Sequence, residues 1–166
     1  MNTMQDSELR FMHWLRKGEF YSITLILHFC TELGSYKGWT SLSLVFVFFI
    51  DVSLGLKIGL SSLFGGFCAQ IIKHFVKRKR PCVHPNAPHP LIPVPDPWSF
   101  PSGHTTTAFS VASMLGFIGH AWCFPFTVFA CIVGFSRIYL GVHYPSDVCF
   151  GTLLGIICGC TFGTFW

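Results

Sequence analysis

The chain has 166 residues, of which 51% are hydrophobic and 17% aromatic, while only 11% are charged. Soluble domains carry about a quarter charged residues, so an ordinary water-facing surface is excluded and lipid is the expected solvent. The net charge is +4, and the basic residues are bunched: Lys73, Lys77, Arg78, Lys79 and Arg80 fall in one short run that suits phosphate, a lipid headgroup or nucleic acid.

The eight cysteines form no disulfide framework. Cys30, Cys68, Cys131, Cys149, Cys158 and Cys160 lie in apolar runs, where cysteine acts as a small hydrophobe. No CxxC pair occurs, and Cys158 and Cys160 are too close for a zinc knuckle, so no metal site is expected. The first twenty residues are polar and mixed in charge, unlike a secretory signal.

The chain reads as a single domain over 1–166, all-α, a polytopic membrane bundle of about six spans. Residues 1–18 hold a short amphipathic helix, Ser7 to Lys17, suited to the membrane interface. A first span is expected over 20–33, short enough to need tilt or a thinned bilayer. The second runs over 38–56, interrupted by Asp51, and the third over 58–76, with Phe64-Gly65-Gly66-Phe67 allowing close helix contact. Residues 77–101 carry eight prolines, which excludes helix and sheet interiors and predicts a structured surface loop. Spans four to six are expected over 103–122, 124–142 and 146–166.

Boundary polar residues collect in three clusters. The first runs from Lys73 to Arg80-Pro81, the second is Pro101-Ser102-Gly103-His104, and the third runs from Ser136-Arg137 through His143 to Asp147. Alternating spans would bring all three to one side of the membrane. Two cations two helical turns apart can hold a phosphate, with arginine offering a bidentate fork. Equally, they can flank a membrane helix and meet anionic headgroups. Ser102 is a natural N-cap, Gly103 permits close backbone approach, and a helix N-terminus attracts anions. His104 lies in that first turn, where it can donate a proton. Arg137 can bind phosphate oxygens. His143 and Asp147 can pair, the carboxylate fixing the tautomer and freeing the opposite nitrogen as a nucleophile. A plain capped helix and interfacial histidines would explain each cluster alone. Together they are the inventory of phosphoryl transfer, which is largely positioning and charge stabilisation.

Lys73-x6-Arg80-Pro81, Pro101-Ser102-Gly103-His104 and Ser136-Arg137-x5-His143-x3-Asp147 resemble the three signature motifs of the type 2 phosphatidic acid phosphatase superfamily. Leu33-Gly34-Ser35 also resembles it. The resemblance implies a six-span helical bundle and a metal-free, cofactor-free phosphatase. His143 would attack phosphorus, oriented by Asp147, and His104 would protonate the leaving group. Lys73, Arg80, Ser102, Gly103 and Arg137 would hold the phosphate. The short first span departs from that pattern.

The membrane setting points to a lipid phosphate as substrate and the bilayer as partner, with no nucleic acid and no obligate protein partner. The small size resembles bacterial members acting on undecaprenyl diphosphate, phosphatidylglycerophosphate, phosphatidic acid or lipid A phosphates. His84, Asn86, His89, Asp96 and Trp98 of the proline-rich loop are candidates for headgroup selection. Rival readings are a lipid phosphotransferase using the same histidine, a basic-lined transporter or anion pore, and a lipid-binding scaffold. A vanadate-dependent peroxidase fits poorly, since those relatives are soluble and larger. Setting the site cations aside, Lys37, Lys77, Arg78 and Lys79 fall on the site side, and Arg10, Arg16, Lys17 and Lys57 on the other. That balance gives no orientation. Resemblance to bacterial relatives implies an inner-membrane protein with its site facing the periplasm.

Overall fold

The computed structural model describes residues 3–94 and 96–165; Pro95 of the proline-rich loop, and Trp166 at the end of the predicted sixth span, lie outside them. Seven α-helices follow in order: α1 Thr3–Leu15, α2 Tyr21–Leu33, α3 Tyr36–Phe49, α4 Val52–Val76, α5 Gly103–Phe117, α6 Cys123–Tyr139 and α7 Pro145–Gly163. Among the described residues there is no strand beyond an isolated bridge between Lys79 and Trp98.

The predicted second and third spans divide earlier than expected. The α3 helix ends at Phe49, and Asp51 caps α4 by accepting from the Leu54 amide at 2.6 Å. Asp51 is therefore a helix start, not an interruption within a span. Among the described residues, only α4 and α7 are long and apolar enough to cross a membrane by themselves. The outward surface is nonetheless lipid-like: Phe48, Phe49, Phe75 and Phe124 are each more than 70% exposed. Apolar exposure on that scale fits a hydrocarbon surround and not water.

The expectation of a separate first span over 20–33 is corrected by the packing. Leu27 clusters with Ile92, Tyr139 and Leu140; Thr31 accepts from Arg137; Gly34 abuts Val133; and Phe46 packs on Trp122 and Phe126. Rising numbers in α2 and α3 meet falling numbers in α6. The two helices thus descend in succession beside α6 as one path broken at Gly34-Ser35. The physical cause is length: 13 residues of helix reach about 20 Å, short of a 30 Å core. The α1 helix lies on the site side, where His13 and Arg16 bond the carbonyls of Asn86 and His89. Arg10, Arg16 and Lys17 thus move to the site side too, leaving Lys57 alone among the Lys and Arg residues at the opposite end.

The α5 and α7 helices pack most tightly. Gly151, Gly155, Gly159 and Gly163 recur every four residues along α7 and face α5. A Cβ on Gly155 would come 2.6 Å from the Thr106 carbonyl oxygen. This is small-residue packing of the kind that joins helices in lipid. Gly155→Leu is expected to abolish folding, since backbone cannot yield as a side chain does; loss of the monodisperse species in detergent is the measurement.

Candidate active site

The three polar stretches converge at the end of the bundle where α4 and α6 finish and α5 and α7 begin. The α4 helix stops at Val76 because Lys77 adopts a left-handed conformation with φ 49°. Lys73 and Arg80 therefore do not share a continuing helical face. They meet instead through Asp96. Its Oδ2 accepts from Lys73 Nζ at 3.1 Å and from Arg80 at 2.9 Å, while its backbone carbonyl accepts from Arg80 Nε at 2.6 Å. The loop is closed at its base, where the Ser99 amide donates to the Arg78 carbonyl at 2.7 Å.

Arg80 is buried and also donates to the Val142 carbonyl at 2.8 Å and to His143 Nε2 at 3.2 Å. A guanidinium only donates, so Nε2 presents its lone pair and the proton sits on Nδ1. Nδ1 faces Asp147 Oδ2 at 3.5 Å, longer than a hydrogen bond, and has no hydrogen-bond partner among the described residues. The expected His143–Asp147 pair is therefore an electrostatic contact here. Asp147 accepts instead from the Tyr144 amide at 2.9 Å and from Arg78 at 2.7 Å.

Burial pushes His143 well below the ordinary histidine range, helped by Arg80, Arg137 and Lys73. The imidazole is consequently neutral at neutral pH, as an attacking nitrogen must be. In a histidine NMR titration, with the signal assigned by its loss in His143→Gln, this ring should stay unprotonated as pH falls through about 6.5. A midpoint at or above that value would contradict the site's electrostatics. Partial burial raises Asp96, but Arg80 and then Lys73 outweigh it and hold its carboxyl below the usual range.

Ser102 precedes α5, but its side chain does not cap the helix; its hydroxyl accepts from Thr105 Oγ1 at 2.8 Å. The start of α5 is thus free of a side-chain cap, and nothing lies within 4 Å of where a Gly103 Cβ would be. Backbone amides at such a helix start can receive an anion. Arg137 is buried and donates to Thr31 at 2.8 Å.

A cavity of about 510 Å³ opens here. Lys73, Arg80, Asp96, Gly103, His104 and His143 line its polar end, while Ser102, Arg137 and Asp147 stand behind the wall. Tyr36, Trp39, Leu63, Gly66 and Phe67 extend it between α3 and α4. A smaller cleft shares Thr40, Ser62 and Leu63 with it and continues past Leu44, Leu56 and Leu60. An anion pocket thus opens into an apolar groove.

Of the loop residues expected to select a headgroup, Asp96 lines the cavity, whereas the backbone carbonyls of Asn86 and His89 hold α1. Thr31, Arg78 and Glu8 are site residues the motifs did not indicate. Among the described residues, no three His, Cys, Asp or Glu side chains group to hold a metal ion.

The profile of the PAP2 superfamily matches residues 52–165. An undecaprenyl-diphosphatase of Sulfolobus acidocaldarius is 28% identical over 78% of this chain and 64% of its own length. Undecaprenyl-diphosphatase BcrC of Bacillus subtilis is 40% identical over 46% of this chain and 40% of its own length. The matched part thus spans less than two thirds of these relatives. A transmembrane PAP2-type phosphatidylglycerolphosphate phosphatase from Bacillus subtilis superposes with a TM-score of 0.82 at 23% identity, over 99% of this chain and 87% of that one. LpxE of Aquifex aeolicus superposes at 0.75 with 27% identity, over 95% and 94%. With the profile covering more than half of its residues and the helical arrangement reproduced end to end, the chain belongs to the PAP2 superfamily.

Proposed function

We propose that this protein is an integral membrane phosphatase that hydrolyses the terminal phosphate of a lipid phosphomonoester or diphosphate through a phosphohistidine intermediate. The observation that carries the reading is an anion pocket continuous with an apolar groove, with a neutral imidazole nitrogen facing the cations. A phosphate enters between Lys73, Arg80 and the amides at the start of α5, with Arg137 adding its charge from behind the wall, and takes the place that the Asp96 carboxylate holds between Lys73 and Arg80. The hydrocarbon chain lies in the groove between α3 and α4.

Arg80 turns its hydrogen bond from His143 Nε2 to a phosphate oxygen, the freed Nε2 lone pair attacks phosphorus, and the bond to the lipid oxygen breaks. His104 gives that oxygen its proton. Water then attacks the phosphohistidine, losing a proton to His104, and inorganic phosphate leaves. Asp147 stabilises the positive charge that develops on the His143 ring. The cations and amides stabilise the charge spread over the transferring group, the largest contribution in such chemistry.

The relatives act, by their names, on undecaprenyl diphosphate and lipid A, and a structural neighbour on phosphatidylglycerolphosphate. Two of the relatives are undecaprenyl-diphosphatases by name, and undecaprenyl diphosphate is the substrate proposed first. Phosphate release across a panel of these lipids in detergent tests the reading; no release from any of them would refute it. Vanadate, which adopts the five-coordinate geometry of the transition state, should inhibit. Activity should persist in EDTA; loss on chelation with recovery on added metal would overturn the metal-free mechanism.

The likeness to bacterial proteins favours a bilayer site facing the periplasm, in the inner membrane. The charge distribution favours the reverse: with α1 on the site side, that end carries nearly all the lysines and arginines, and such ends usually face the cytoplasm. Labelling of Asn86→Cys by an impermeant maleimide on intact bacterial cells, above the parent background, separates the two. Labelling supports the periplasmic site; protection supports the cytoplasmic one.

A further inference from the structure

The N-terminal helix α1 contributes a buried carboxylate to the back of the site. Glu8 is only 7% exposed. Its Oε1 accepts from the Ser146 amide at 2.8 Å, at the start of α7, where the helix dipole favours a negative charge. Its Oε2 accepts from Arg78 at 2.8 Å. The other arm of that guanidinium donates to Asp147 Oδ1 and to Ser146 Oγ, both at 2.7 Å. The Arg78 fork also sits 4.0 Å above the Tyr144 ring, which fixes its plane.

We infer that Glu8 is a positioning residue for the reaction, acting on His143 through Arg78 and Asp147. The inference rests on the phosphohistidine reading above. Asp147 has one negative charge to divide between Arg78 and the His143 ring. Its Oδ1 is bound by Arg78, while its Oδ2 stands 3.5 Å from Nδ1. Glu8 supplies the second carboxylate that the guanidinium fork can hold. With Glu8 present, the charge on Arg78 is balanced from behind, and Asp147 keeps its field directed at the ring. Without it, Arg78 draws on Asp147 alone, and the imidazolium character that develops during attack loses support. The α1 helix, whose Phe11 and Trp14 remain exposed for the interface, is then a working part of the catalytic centre and not only an anchor.

The test compares the full-length wild type with Glu8→Gln and Glu8→Asp in detergent. Glu8→Gln keeps the side-chain size and removes the charge; Glu8→Asp keeps the charge and shortens the side chain. Glu8→Gln should lower kcat by about 10-fold, the lower end for removing an outer partner of a reactive histidine, with KM within about twofold. Glu8→Asp should retain more kcat than Glu8→Gln. A merely structural contact would give the opposite order, because the shorter side chain loses more packing. In an Asp147→Asn background, Glu8→Gln should cost nothing further, since its effect passes through that carboxylate. Unchanged kcat in Glu8→Gln, the reversed order, or full additivity with Asp147→Asn would overturn the inference. A wild type that releases no phosphate from any lipid would instead remove the parent reading.

Discussion

Replacing His143 with glutamine should lower kcat by about 10⁴-fold or more, the scale of losing a nucleophile from a preorganised site. Glutamine approximates the size of the ring and can still accept from Arg80, so the pocket should keep its shape. It has no lone pair nucleophilic enough to displace a lipid oxygen. Binding of inorganic phosphate should persist within a few-fold, because the cations and the α5 amides are untouched. Turnover within a few-fold of wild type in that variant would remove the nucleophile assignment while leaving the pocket in place.

Arg80→Lys should cost about 10² to 10³ in kcat/KM, or roughly 3–4 kcal/mol of transition-state stabilisation. The charge is kept; the fork is lost. Arg80 serves the Asp96 carboxylate and carbonyl, the Val142 carbonyl and His143 Nε2 at once. A lysine has three donors at one point and a shorter span, so it cannot hold the Val142 carbonyl and a phosphate oxygen together. The comparison with Lys73→Arg is informative. Among the described residues Lys73 bonds Asp96 alone, so a point charge suffices there, and that exchange should cost far less. Equal losses in the two variants would contradict the division of roles between fork and point charge.

The motifs made the site legible because each carries its own local chemistry. Lys73, Arg80, His104, Arg137, His143 and Asp147 reach one end of the bundle, as alternation of the later helices requires. What the motifs did not contain was contact between distant stretches. Asp96 sits in a proline-rich loop, and its link to Lys73 and Arg80 depends on how that loop closes against Arg78 and Lys79. Glu8 is separated from Arg78 by seventy residues. The glycines of α7 recur at four-residue spacing in the sequence, but which helix they face depends on the packing of α5 against them.

The division into spans is less legible for a related reason. Hydropathy marks apolar stretches but not their direction. Residues 20–33 are apolar, yet α1 begins on the site side and α2 leaves from there, so α2 and α3 share one descent. Ser102 occupies the N-cap position of α5, as its place in the sequence predicts, without capping through its side chain. The hydroxyl is taken by Thr105, which leaves the start of α5 open to an anion.

The central claim is that phosphate passes through the nitrogen of His143 in a pocket built from three distant stretches. Rapid acid-free quenching during turnover of a lipid labelled in its terminal phosphate tests this most directly. The account predicts a base-stable, acid-labile label on the peptide carrying His143, absent from His143→Gln; turnover with no label on that peptide, under conditions that slow hydrolysis of the intermediate, would contradict it.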